Sequence, residues 1–273
     1  MDPLLNLAVK AARRAGALLV RYQDRLDQIK VETKGRNDFV SEVDRMAESD
    51  IVDTIHYLYP NHRILAEESG TSLSPTEDAD DEIEWIIDPL DGTNNYLHGH
   101  GHFCVSIAIK IKGRLEYGVI FDPIRDELFT TSRGHGAQLN NRRIRVSGQG
   151  RLSHALIATE LPVWKPAELA SAVSVLGAIA PRISDIRSSG SAALNLAYVA
   201  CGRLDAYWQP TLQSWDIAAG ALMVREAGGL VSDYAGDQLF LESGNIVSAN
   251  QKLFTDVLAS IRSRLDKDSG SGA

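Results

Sequence analysis

In residues 85–93, Trp85-Ile86-Ile87-Asp88-Pro89-Leu90-Asp91-Gly92-Thr93, a short apolar run leads directly into two carboxylates. An uninterrupted apolar run of this length reads as a strand buried on both faces. Such a strand delivers Asp88 at its end, Pro89 fixes a turn, and Asp91 returns to the same side three residues later. Gly92 lets the backbone approach a ligand closely. Two carboxylates held this near repel and raise each other's pKa unless a cation sits between them. Oxygen ligands with no supporting His or Cys select Mg²⁺, or Mn²⁺ in its place, over zinc. The bland alternative is a turn with Asp as a cap, which the preceding strand and the following Gly-Thr disfavour.

Outward from this turn, other acidic residues stand at element ends. Ala66-Glu67-Glu68-Ser69-Gly70 closes the apolar run Ile64-Leu65-Ala66 and offers one further carboxylate, equally readable as a solvated loop group. Ser214-Trp215-Asp216 opens a helix, where Asp216 is a metal or substrate contact or a simple N-cap. Asp44 falls three residues after Ser41, in the spacing of a capping box. Gly190-Ser191-Ala192 opens another helix, whose N–H groups form an anion site suited to phosphate; a Gly turn capped by Ser reads equally well. Two motifs are set aside. His98-Gly99-His100-Gly101-His102 reads as a Gly-rich turn exposing histidines, and Gly134-His135-Gly136 follows a hairpin and lacks the third glycine of a dinucleotide fingerprint.

The rest of the chain alternates between helical and strand patterns. Leu4, Leu5, Ala8, Ala12, Ala15, Leu19 and Tyr22 recur at helical spacing over Leu4 to Leu26, and Ala47, Ile51, Ile55 and Leu58 follow Ser41 in the same way until Pro60. Phe103 to Ile111, a Lys112-Gly113 turn, Leu115 to Phe121 and Glu127 to Thr131 predict an antiparallel meander. Beyond Ala155, strands near Ala155–Thr159, Ile183–Arg187, Asp205–Gln209 and Ile246–Ser248 alternate with helices over Ala167–Ala180, Ser191–Ala200, Asp216–Ala227 and Lys252–Leu265. The expectation is a layered α/β fold. It forms one domain over 1–265, with packed halves of about 1–150 and 151–265. Thr71 to Glu82 is expected to be a mobile acidic loop, and 266–273 a disordered tail.

Composition bounds the function. The chain has 273 residues, 44% hydrophobic and 23% charged, with 28 Lys+Arg against 36 Asp+Glu for a net charge of −8. This excludes disordered, collagen-like and disulfide-scaffold classes, and it opposes unaided nucleic-acid binding. No apolar run reaches the roughly 18 residues of a membrane span, and no signal-type segment opens the chain, so a cytoplasmic location is expected. Cys104 and Cys201 are expected to be packed free thiols.

Five ordered blocks carry a family resemblance: Lys34 to Asp44 (KGRNDFVSEVD), Glu67 to Gly70 (EESG), Trp85 to His98 (WIIDPLDGTNNYLH), Gly190 to Ala193 (GSAA) and Trp215 to Gly229 (WDIAAGALMVREAGG). The chain resembles the inositol monophosphatase family over nearly its whole length, most closely the bacterial SuhB type. The resemblance implies an alternating α/β/α/β/α sandwich of the sugar-phosphatase fold, a homodimer, and Mg²⁺-dependent, Li⁺-sensitive phosphomonoester hydrolysis with two or three metals per site. Its metal ligands fall on Glu67, Asp88, Asp91 and Asp216 and the Leu90 carbonyl. Thr93 and Asp44 join Glu67 in orienting the attacking water. Asp91, Gly92, Thr93, Gly190, Ser191, Ala192, Gln209 and Asp216 fall on substrate positions, with Arg187 a weaker one. Gln209 and Asn195 stand where the family commonly has acids, which leaves an inositol preference open. The resemblance also implies a second role in transcription antitermination, through RNA polymerase or Nus-factor partners.

Overall fold

The structure, a computed structural model, describes residues 2–23, 25, 31–35, 38–70, 80–163 and 165–270. Helices α1 (Pro3–Gln23) and α2 (Glu42–His56) flank a hairpin of β1 (Val31–Gly35) and β2 (Asp38–Ser41). Most of the expected apolar stripes are buried, including Ala8, Ala12, Ala15 and Leu19 on α1 and Ala47, Ile51 and Ile55 on α2, but α2 ends at His56 and Leu58, expected on its stripe, lies beyond it and is 54% exposed. Runs of alanine let these helices sit close to the sheet beneath them.

That sheet has seven strands in chain order: β3 (His62–Ala66), β4 (Asp80–Asp91), β5 (Cys104–Ile111), β6 (Arg114–Asp122), β7 (Glu127–Ser132), β8 (Gly136–Leu139) and β9 (Arg142–Ile144). β3 runs parallel to β4 and every later pair is antiparallel. Lys112 and Gly113 make the expected two-residue turn with φ of 52° and 75°, and Asn140-Asn141 makes another with φ of 47° and 64°. Both turns have positive φ at each central residue, the hairpin geometry that matches strand twist.

From Trp85 to Asp91 β4 is buried on both faces, as its apolar run predicts. Trp85 and Ile87 pack with α1 and α2, whereas Ile86 joins the opposite core. The Trp85 indole N–H donates to His62 Nδ1 at 3.0 Å, which satisfies its one polar atom.

A second sheet orders its five strands β11-β10-β12-β14-β13, comprising β10 (Leu156–Thr159), β11 (Asp185–Arg187), β12 (Ala206–Gln209), β13 (Leu230–Ser232) and β14 (Ile246–Ala249). Helices α5 (Ala192–Ala200) and α6 (Ser214–Glu226) pack in the core that joins Ile86, Ile120 and Phe129 of the first sheet to Tyr207 and Ile246 of the second. Helices α4 (Pro166–Ile179) and α8 (Phe254–Gly270) cover the outer face of the second sheet, against Ile157, Trp208 and Val247. The layers are therefore α/β/α/β/α, and one core draws residues from both halves of the chain.

Close helix packing depends on Gly220: a Cβ there would lie 2.5 Å from Leu196 Cβ of α5. Gly118 of β6 has the same role beneath α6, where a Cβ would meet the Ala219 carbonyl at 3.0 Å.

Several local expectations are revised. The β1–β2 hairpin, β8, β9, β13 and the short helices α3 (Thr93–Leu97) and α7 (Phe240–Ser243) had no counterpart in the sequence pattern. β4 starts at Asp80, inside the segment expected to be a loop, because it pairs with β3 from His62↔Asp80 onward. Residues 71–79 of that loop lie outside the described residues. α8 continues to Gly270 rather than ending near Leu265, since no proline intervenes and lysine tolerates helix well; 271–273 lie outside the described residues. Both cysteines are free, Cys104 buried. No helix among the described residues is long and apolar enough to cross a membrane.

Candidate active site

Asp88, Asp91 and Asp216 place one carboxylate oxygen each within 4.8 Å of one another. Asp88 and Asp91 end β4, and Asp216 lies in the first turn of α6, so two elements far apart in sequence meet at this point. Asp88 accepts the Leu90 N–H at 3.0 Å, which curls the chain through Pro89 and turns Asp91 back toward it. Asp216 accepts the Gln213 N–H at 2.7 Å. Gln213, not Asp216, is therefore the N-cap of α6; Asp216 is the third residue of the helix, the carboxylate half of a capping box, and also a cluster member.

Glu67 belongs to the same group. Its N–H continues the β3–β4 pairing by donating to the Ile87 carbonyl at 3.2 Å. The turn that carries it is fixed by buried Glu48 of α2, which accepts the N–H groups of Glu68 and Ser69 at 2.7 and 2.9 Å. Asp44 is fully buried, and the Thr93 hydroxyl shares its one proton between Asp44 Oδ1 at 3.1 Å and the Leu90 carbonyl at 3.0 Å. Asp44 is therefore more than a capping residue. Gly92, at φ 98°, has its Cα packed so that a Cβ would fall 3.0 Å from the His102 carbonyl, which leaves only glycine unstrained there.

The electrostatics are those of a cation site. Burial pushes Asp88 well above the usual carboxylate range, and Glu67, Asp91 and Asp216 push it further. Burial also raises Asp91, opposed by hydrogen bonds from Ser191, Ala193, Ala192 and Cys104. Asp216 is raised to about 7 by enclosure and then by the charge of Asp91. Four acidic groups converge here with oxygen donors only. This donor set fits Mg²⁺ or Mn²⁺, and the cation would relieve the repulsion that raises these groups.

A pH dependence follows. An unfolded Asp216 ionises near pH 4, whereas the folded, metal-free one keeps its proton to about 7. The native state therefore binds the extra proton in that window, and metal-free stability falls as pH rises through it. Added Mg²⁺ competes with that proton, so thermal unfolding is expected to show a larger Mg²⁺-induced stabilisation at about pH 8 than at about pH 6. Equal stabilisation at both pH values would count against the cluster as the binding site.

The amides that open α5 are not free for phosphate. Ser191, the N-cap, donates its hydroxyl to Asp91 Oδ2 at 2.5 Å, and the Ala192 and Ala193 N–H groups donate to Asp91 Oδ1 and Oδ2 at 3.2 and 2.8 Å. The protein's own carboxylate occupies the anion site expected at Gly190-Ser191-Ala192, for the reason any anion would: helix N–H groups favour negative charge. Arg187 sits on the edge strand β11, 52% exposed, with its guanidinium on Asp185 at 2.6 Å and on the Ile186 carbonyl. These contacts give it no part in the cluster. Gln209 is buried on β12 and accepts the Tyr207 hydroxyl at 2.5 Å. Burial, Glu160, Asp91 and Asp216 together raise the Tyr207 phenol, which places that side chain beside the acidic wall.

The histidines of 98–102 form no metal cluster among the described residues. His98 meets the Asn94 carbonyl at 2.8 Å, and buried His102 is lowered to about 4 by desolvation and by Arg125. Gly134 and Gly136 lie in the β7–β8 turn, whose N–H groups go to Glu226.

The family profile of the inositol monophosphatases matches residues 1–267. The chain belongs to that family. Nus factor SuhB of Pseudomonas aeruginosa is 49% identical over 267 residues, covering 97% of this chain and 98% of that protein. The crystal structure of extragenic suppressor protein SuhB from Bartonella henselae superimposes with a TM-score of 0.91 at 41% identity, covering 96% of this chain and 99% of the other. An IMPase of Thermotoga maritima follows with a TM-score of 0.87 at 35% identity, covering 98% and 99%. The fold and the phosphatase family expected from the sequence blocks are both borne out.

Glu48 and Glu160 were missed by sequence reasoning. Both follow no motif and act on backbone N–H groups, so only the register of distant segments reveals them.

Proposed function

We propose that residues 1–265 form one domain that hydrolyses a small polyol phosphomonoester, inositol 1-phosphate first among them, in a Mg²⁺-dependent and Li⁺-sensitive reaction. The observation that carries this reading is the convergence of Glu67, Asp88, Asp91 and Asp216 on one point beside Thr93 and Asp44. Glu67, Asp88, Asp91, Asp216 and the Leu90 carbonyl would hold the cations. When bound, Mg²⁺ lowers the pKa of water and neutralises charge on the phosphoryl oxygens.

The chain's own groups supply the rest. Thr93 Oγ1 donates toward Asp44 Oδ1 and so keeps a lone pair to accept a proton from the attacking water. That proton moves to Thr93 as the hydroxyl proton shifts to buried Asp44, and Glu67 orients the same water. The N–H groups of Gly92 and Thr93 open α3 and would receive the phosphate. Attack would run in line, with no covalent intermediate: the Ser191 hydroxyl and the Cys104 thiol beside the cluster are both buried and donate to Asp91, and burial holds the thiol in its protonated form. Gln209 and the segment 190–192 would face the polyol.

The test is phosphate release from inositol 1-phosphate, glycerol 2-phosphate, fructose 1,6-bisphosphate, histidinol phosphate and phosphoadenosine phosphate, with Mg²⁺, with EDTA and with Li⁺. Mg²⁺-dependent, Li⁺-sensitive turnover led by inositol 1-phosphate is expected. A different leading substrate would keep the chemistry and replace the substrate. Folded protein that binds Mg²⁺ and releases no phosphate would overturn the reading. The 49% identity to a protein named Nus factor SuhB supports a second reading, regulatory binding to RNA polymerase or Nus-type factors in ribosomal RNA antitermination. Such binding would make this cytoplasmic chain, a homodimer by resemblance, a transcription partner without direct nucleic-acid contact.

A further inference from the structure

Residues 188–193 are held between two carboxylates from different sheets. Glu160, one residue beyond β10, accepts the Ser189 and Gly190 N–H groups on Oε1 at 2.7 and 2.8 Å and the Ser188 hydroxyl on Oε2 at 2.5 Å. Asn195 of α5 donates to the same Oε1 at 3.1 Å and accepts the Ser189 hydroxyl at 2.6 Å. Just beyond them, the Ser191 hydroxyl and the N–H groups of Ala192 and Ala193 all donate to Asp91. From the opposite side, Asn95 Nδ2 donates to the carbonyls of Ser189 and His102 at 2.8 and 2.7 Å. A Cβ on Gly190 would stand 2.8 Å from that nitrogen, so the segment has no room to slide.

Glu160 has no ion-pair partner among the described residues, and four N–H and O–H donors meet its charge instead. Hydrogen bonds to an ionised acceptor are among the stronger ones, and their loss takes the acceptor from two backbone N–H groups and two side-chain donors at once. We propose that Glu160 is a positioning residue for Asp91: by fixing Ser188 to Gly190 it aims the first turn of α5 at the Asp91 carboxylate. The inference rests on the reading of Asp91 as a metal ligand. With Glu160 removed, the turn relaxes, Asp91 loses donors that offset its repulsion from Asp88 and Asp216, and the cluster holds a cation less well. Outer partners of metal ligands typically change metal affinity by about 10- to 100-fold.

The experiment compares Mn²⁺ binding by calorimetry, and amide hydrogen exchange at 189–193, in the wild-type chain and in Glu160→Ala, Glu160→Gln and Glu226→Ala. Glu226 is the control, because it accepts the Gly134 and Gly136 N–H groups at 2.9 Å each in a turn outside the cluster. Glu160→Ala is expected to weaken Mn²⁺ binding about tenfold or more and to speed exchange at Ala192 and Ala193. Glu160→Gln keeps an acceptor for the two N–H groups and turns its amide toward Ser188 Oγ, so it is expected to recover most of the affinity. Glu226→Ala is expected to lower stability and leave Mn²⁺ affinity unchanged. Wild-type Mn²⁺ affinity in folded Glu160→Ala, or an equal loss in Glu226→Ala, overturns the proposal. If Glu160→Ala does not fold, Ser188→Ala, which deletes one of the four donors, takes its place with a smaller loss in the same direction. Wild-type protein that binds no Mn²⁺ sinks the metal reading itself, and unchanged exchange at Ala192 and Ala193 then sinks the clamp separately.

Discussion

Asp88→Asn is expected to reduce Mg²⁺-dependent phosphate release by at least about a hundredfold and, in the same protein, to raise the melting temperature of the metal-free form. The two effects share one cause. Asp88 is buried and faces Glu67, Asp91 and Asp216, so its charge is tolerated only when a cation is present. Its folded pKa is raised, hence ionised Asp88 destabilises the metal-free fold at neutral pH, and a neutral isostere removes that penalty. The Leu90 N–H keeps an acceptor in the Asn carbonyl, so the turn at Pro89 survives. What is lost is a ligand charge, and a cation positioned on phosphoryl oxygens is worth several kcal/mol, each 1.4 of which is about tenfold in rate. Thermal unfolding with and without EDTA, beside steady-state phosphate release, reads both. A variant that is inactive and also less stable without metal would mean that Asp88 serves the fold rather than the cation.

The second large effect lies away from the carboxylates. Gly220→Val is expected to cost about 3 kcal/mol or more of stability, measured by urea unfolding. A Cβ at this position would lie 2.5 Å from Leu196 Cβ and 2.6 Å from Leu196 Cδ1, contacts that α5 and α6 can relieve only by moving apart. Both helices are buried in the core that joins the two sheets, so neither has free space behind it. α6 carries Asp216, and the first turn of α5 holds Asp91. Separation of the helices should therefore weaken Mg²⁺ binding as well. Unchanged stability in Gly220→Val would show that the core accommodates volume here, contrary to its close packing.

How much of this was legible in the sequence depended on how local the signal is. β4 and its two aspartates could be read because an apolar run, a proline and a glycine stand within nine residues. The meander was legible from β5 to β7, since Lys112-Gly113 announces its turn. β8 and β9 were lost because Gly136–Leu139 and Arg142–Ile144 are too short to show a period, although Asn140-Asn141 was a usable turn signal. The α5 terminus shows the limit most clearly. Its residues favour an anion, and that much was read correctly, but the anion is the carboxylate of Asp91, one hundred positions away. Asp216 gave the reverse case: an N-cap on local grounds and a cluster member once α6 is placed against β4. Glu160 offered no local sign, because its role is defined by a hydroxyl and two backbone N–H groups twenty-eight to thirty residues later.

The separation between Asp91 and Ser191 also sets the order in which the molecule can become competent. The hairpins from β4 to β9 close short loops, and such local pairings form early. The cluster cannot form with them, because Asp216 and the donors to Asp91 arrive only when α5 and α6 dock between the sheets. A cation that needs all of these ligands can therefore bind only once the core is assembled. A nascent or truncated chain that ends before α6 holds Asp88 and Asp91 but lacks Asp216, so catalytic competence itself certifies that both halves have been made and joined.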